Sequence, residues 1–142
     1  MGVLATLAVN LRTKLAAAPA SLTALPEGVS INDVPDSDKT FFAVGIGADD
    51  EIDNEHGGGT LVMHKGSLVV SLAWPLDDDE EAFEDTKAND LENVSSVMDK
   101  VSNWTSGIVI VQRTGASERR ENTLHRADLT YSVRYRVAQT LT

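Results

Sequence analysis

Residues 129 to 137, LTYSVRYRV, alternate without a break: Leu129, Tyr131, Val133, Tyr135 and Val137 against Thr130, Ser132, Arg134 and Arg136. A period of two places the five apolar side chains on one side of an extended backbone and the four polar ones on the other. Such a stretch is a strand with one face on a core and one face on water, the pattern of an antiparallel sheet covered on one side. It requires neighbouring strands for its backbone groups and another layer for its apolar face.

The rest of the chain supplies both. IVIVQR, beginning at Ile108, reads as a second strand, joined to the last by TGASERRENTLHRAD, a long polar hairpin loop over about 114–128. TFFAVGIG, residues 40–47, is short, aromatic and β-branched, a third strand. In TLVMHKGSLVVSLAWPL, the Lys65-Gly66 pair predicts a tight hairpin with Thr60–His64 paired to Leu68–Trp74. Leu68, Val70, Leu72 and Trp74 then share one face, and Pro75 ends the pairing.

Two helices are predicted as the covering layer. Leu4, Leu7, Leu11 and Leu15, with Ala8, recur at spacings of three and four along a helix over about 3–17, with Arg12 and Lys14 toward its end and Pro19 stopping it. A second helix is expected at roughly Thr86–Trp104, striped by Leu91, Val94, Met98 and Val101, with Trp104 at its end and DDDEEAFED leading into it. Residues 19–39 read as an irregular connector with a short strand near Val29–Ile31, and ADDEIDNEHGGG, about 48–59, as an exposed acidic loop. The expected architecture is a single α+β domain over 1–142: a mainly antiparallel sheet of about four to five strands with two main helices packed on one face.

Composition bounds the function classes. With no cysteine, the chain has no disulfide, thiolate nucleophile or Cys-based zinc site. Its 22 acidic and 12 basic side chains give a net charge of −10, a poor basis for general binding to DNA phosphates. The charge is unevenly placed: residues 1–106 carry 19 acidic and 6 basic side chains, residues 107–142 carry 3 and 6. No apolar run approaches the roughly 18–20 residues of a membrane span. The opening MGVLATLAVNLRTKL lacks the basic n-region of a signal peptide, although MGVLAT fits a myristoylation pattern that has meaning only in a eukaryotic cell.

Catalytic readings fail on specific residues. GIGADD begins like a dinucleotide-binding loop, but Asp50 stands where its third glycine belongs. GASER departs from a nucleophile elbow at Arg119. The acidic run from Asp49 lacks EF-hand register, because Gly57 as the sixth position would make Ile52 the first ligand. His56, His64 and His125 form no metal-binding motif, and the carboxylates cluster in solvated runs that keep ordinary acidity. No catalytic, cofactor-binding or metal-ligating residue is therefore expected.

The remaining candidate is an assembly surface. Arg113, Arg119, Arg120 and Arg126 bracket the predicted hairpin, and Arg134 and Arg136 extend the positive region along the last strand. These cations suit an acidic segment of a neighbouring copy, either 49–55, with Asp49, Asp50 and Glu51, or 77–85, with Asp77, Asp78 and Asp79. The simpler alternative is protection of a sheet edge with local pairing to Glu118 and Glu121.

In element order the chain runs from a leucine-striped helix through a Pro-containing connector, an early strand and a hairpin to a helix ending near Trp104. A strand–loop–strand unit then closes on the Leu-x-Tyr-x-Val-x-Tyr alternation. This arrangement resembles the tail terminator proteins of long-tailed double-stranded DNA viruses. The resemblance implies a virion protein of the tail neck without enzymatic activity, assembling into a hexameric ring. That ring caps the tail tube protein, stops its polymerisation and presents a surface to the head-closure or connector protein, while DNA passes through the lumen. A head-closure or tail-completion protein is the nearest alternative; a small metal-dependent hydrolase using His56 and His64, or an unrelated binding domain, lies further off. The acidic loop from Asp49 and the Arg-bearing loop have no counterpart in the family pattern.

Overall fold

A computed structural model describes residues 2–18, 20–25, 40–47, 50–53, 61–75, 79–121 and 124–138. Helix α1 (Val3–Ala16) is followed by strands β1 (Thr23–Ala24), β2 (Phe41–Ile46), β3 (Asp50–Asp53) and β4 (Leu61–Pro75). Helix α2 (Glu80–Met98), a 3-10 turn over Val101–Asn103, and strands β5 (Ile108–Glu121) and β6 (Leu124–Ala138) complete the order. The class is α+β, with one mostly antiparallel sheet and two helices.

The long strands set the frame. β4 and β6 pair antiparallel over fifteen residues each, from Leu61 opposite Ala138 to Pro75 opposite Leu124, and β5 pairs with the far side of β6. The order is β1-β2-β4-β6-β5, and among the described residues only β1 and β2 pair parallel. β3 also pairs with β4, at Met63–Lys65, while β2 covers Leu68–Ala73, so β2 and β3 together occupy one rank beside β4.

One face of this sheet meets both helices. Leu68, Val70, Leu72 and Trp74 of β4, Leu129, Tyr131, Val133 and Tyr135 of β6, and Phe42 of β2 are buried in one cluster with Leu4, Leu7, Leu11 and Leu15 of α1 and Val94, Val97 and Met98 of α2. The predicted period-two and helical stripes thus converge, and each fully buried Leu contributes about 1.5–3 kcal/mol of apolar transfer. Val137, expected in the core, is half-buried near the end of its strand.

Several expectations are corrected. There is no hairpin at Lys65-Gly66: β4 runs straight through, because a turn there would leave the last half of β6 without ladder partners on its β4 side. The 114–128 segment is mostly strand, Thr114–Glu121 in β5 and Leu124–Asp128 in β6. It reads as a loop because β5 is an edge strand with every residue from Gln112 to Arg120 exposed, so burial imposes no alternation on it. Within the acidic stretch, Asp50–Asp53 forms β3, supplying backbone partners where β4 extends past β2. The suggested strand near Val29–Ile31 lies outside the described residues.

α2 begins six residues earlier than expected, at Glu80, where the Asp79 side chain accepts a hydrogen bond from the Ala82 amide at 3.1 Å. Glu80 and Glu81 are its first turn, favoured by the positive end of the helix dipole. It also ends earlier, at Met98. The tighter turn that follows puts the stripe out of phase, leaving Val101 66% exposed while Asn103 is buried.

Candidate functional site

The register divides the predicted arginines between the two faces of the sheet, since residues directly opposite share a face. Arg113 lies opposite buried Tyr131, and Arg120 opposite His125, both on the helix-covered side. Arg119 lies opposite Arg126, Arg134 opposite Lys65, and Arg136 opposite Met63, all on the face that neither helix packs against. The six do not form one surface.

Arg126 is also not a surface charge. It is 4% exposed, in register with Ala73, which pairs in turn with Phe41, and both of these are buried. Its Nη2 lies 3.9 Å from Asp128 Oδ1, and Arg119 Nη1 donates to Asp128 Oδ2 at 3.3 Å. One carboxylate thereby offsets the repulsion of two guanidinium groups facing each other across β5 and β6.

On the helix side, Arg113 borders a cleft of about 480 Å³ between the end of α2 and β5, with Ser95, Asp99 and Trp104 across from it. The Tyr131 hydroxyl lies at its base, and burial pushes its pKa up to about 12, with Arg113 pulling it down and Asp99 pushing it up. Further along β5, Glu118 joins the sheet to α2: Lys87 Nζ lies 3.6 Å from its Oε1, and His125 Nε2 3.7 Å from the same atom. Lys87 also pairs with Glu84 at 3.2 Å.

Of the acidic candidates, Asp79 is the N-cap of α2, and Asp50 and Glu51 belong to β3, in register with Lys65 and His64. Asp49, Asp77 and Asp78 lie outside the described residues. Sequence reasoning missed Lys65, which it placed in a turn. In the sheet Lys65 stands beside Arg134, with Arg136 two residues further on the same face. Sequence carries no signal for it, since Lys-Gly inside an apolar run is equally a turn pattern.

His64 and His125 do not converge. His64 stacks on Tyr135 with ring centroids 5.4 Å apart. His125 packs near Trp74 at 5.9 Å and edge-on to Phe83 at 5.4 Å, at the other end of β4. His56 lies outside the described residues. Among the described residues there is no cluster of metal-ligating side chains, and no helix is long and apolar enough to cross a membrane. Ser117 of the elbow-like GASER lies in β5, and Gly45 of GIGADD in β2, so neither motif sits on the strand-to-helix turn its chemistry needs.

No protein-family model matches this chain, and no curated protein matches its sequence. Its fold is similar to that of a chain from the virion of a native gene transfer agent (GTA) particle, with a TM-score of 0.61 and 20% identity, over 96% of this chain and 98% of that one. At that identity the likeness is one of fold.

Proposed function

We propose that this chain is a structural, non-enzymatic virion protein, and more narrowly a ring-forming tail terminator. In this reading copies of the chain close into a hexameric ring that caps the finished tail tube, halts its growth and offers its other side to the head-closure or connector protein. The observation that supports it is the near end-to-end fold likeness to a chain of a virion particle, together with the element order that resembles tail terminators. The charge agrees: a −10 chain lines a passage without holding the DNA that slides through it.

The test is to purify the chain and follow it by sedimentation, alone and with tubes of its cognate tail tube protein. A ring that appears at one end of each tube and stops further polymerisation is the expected result. A persistent monomer with no affinity for tube ends overturns the terminator reading. A ring that binds the connector and ignores the tube moves the assignment to a head-closure protein.

A further inference from the structure

The face of the sheet turned away from α1 and α2 carries a concentration of positive charge. Lys65 and Arg134 are directly opposite on β4 and β6, and Arg136, opposite Met63, lies two residues beyond Arg134 on the same face. All three are exposed. Among the described residues none of them enters an ion pair, although Asp50 of β3 is in register with Lys65. Like charges directly opposite on a sheet destabilise it. Here three stand together in a chain with 22 acidic side chains. Unlike Arg119 and Arg126, whose facing guanidinium groups share Asp128, the triad is open to an anion from outside.

The matching anion is on the same chain but out of its reach. Glu80, Glu81 and Asp85 lie in the first turns of α2, exposed and, among the described residues, without an ion pair. The start of α2 sits over the opposite end of the sheet, where Phe83 packs on His125 beside Trp74. From Trp74 back to Lys65 is nine residues of β4, about 30 Å at the rise of a strand. The acidic helix start is also on the helix side, whereas the triad is on the other. One copy cannot join them; two copies can, head to tail, in the heterologous contact that closes a ring.

We infer that the Lys65–Arg134–Arg136 face of one copy receives the Glu80–Glu81–Asp85 helix start of the next. This rests on the ring-subunit reading and names its intersubunit contact. An acidic protein segment is favoured over nucleic acid for two reasons. Duplex DNA presents a continuous row of phosphates that calls for a cationic track longer than three side chains, whereas three cations match the three carboxylates of one helix start. Among the described residues the face also offers no exposed aromatic ring beside the triad on which a base could stack, the neighbours there being Met63, Ser67, Ile110, Gln112 and Ser132.

Complementation tests the contact. One variant combines Lys65→Glu, Arg134→Glu and Arg136→Glu; the other combines Glu80→Lys, Glu81→Lys and Asp85→Lys. Circular dichroism verifies each fold, and a Lys65→Gln, Arg134→Gln, Arg136→Gln variant serves if charge reversal disturbs it. By sedimentation at low salt, each reversed variant alone loses the assembled species formed by the wild type. The equimolar mixture restores it, because each reversed surface then meets its opposite, and added salt weakens it again. Variants that assemble singly as the wild type does overturn the contact and leave the ring reading intact. So does a mixture that stays unassembled. A wild-type chain that is monomeric under all conditions overturns both. Triad-dependent binding to duplex DNA with unchanged self-association assigns the face to nucleic acid and overturns the inference.

Discussion

Trp74 Nε1 donates a hydrogen bond to Asp90 Oδ2 at 2.7 Å, fastening the end of β4 to the middle of α2. Thr40 Oγ1 donates to the same oxygen at 3.1 Å, so one carboxylate holds the helix, β4 and the approach to β2. Trp74 is 1% exposed, and its indole N–H has no water to turn to if that acceptor is lost. Asp90→Ala is expected to lower unfolding free energy by about 2–3 kcal/mol, measured by urea denaturation. Asp90→Asn keeps an oxygen acceptor and costs less.

Asn103 performs a similar function between the helices. Its Nδ2 donates to the Val97 carbonyl at 3.0 Å, and its own carbonyl accepts from Asn10 Nδ2 at 2.6 Å. The first bond satisfies a carbonyl near the end of α2 that the helix itself leaves open. Asn103→Ala leaves that buried carbonyl without its partner and is expected to cost about 1–3 kcal/mol by thermal or urea unfolding. Asn10→Ala removes the half-buried donor of the second bond and costs less.

These two residues show where the sequence was readable and where it was not. The leucine stripe of α1 and the alternation of Leu129 to Tyr135 were legible because burial on one face imposes a period on sequence. Asn103 and Asp90 were not, because a polar side chain that anchors a helix looks like any solvated one until its partner is known. Where burial is two-sided or absent, the period vanishes. Hence β5 from Thr114 to Arg120, exposed throughout, reads as loop, and the start of α2 is hidden because Glu80 to Asp85 carry no apolar stripe. For the candidate surface, sequence gave the residue types but not the faces: register alone separates Arg113 and Arg120 from Arg119, Arg126, Arg134 and Arg136.

Two arginines six residues apart should therefore behave differently. Arg126 is buried and paired with Asp128, whereas Arg120 is exposed. Arg126→Ala removes both its packing and its share of the charge network, and is expected to destabilise the fold by about 2 kcal/mol. Arg120→Ala should stay within about 0.5 kcal/mol of the wild type. Urea midpoints of the two variants check this, and equal effects would mean that Arg126 is solvated.

Tyr131 predicts how the fold responds to alkali. In the unfolded chain its phenol ionises near pH 10, whereas in the folded protein burial holds the proton up to about 12. Below the lower value both states are protonated and the residue's contribution to stability is fully present. Between the two values the unfolded chain sheds a proton that the folded one retains, so stability falls as pH rises, by about 1.4 kcal/mol per pH unit. Above the higher value the slope from this residue ends. The measurement is a difference between wild type and Tyr131→Phe in urea midpoints across that window. The Phe variant retains the buried ring and loses the titrating hydroxyl, and its stability should fall less steeply. Parallel curves would show that the Tyr131 hydroxyl reaches solvent through the cleft beside Arg113.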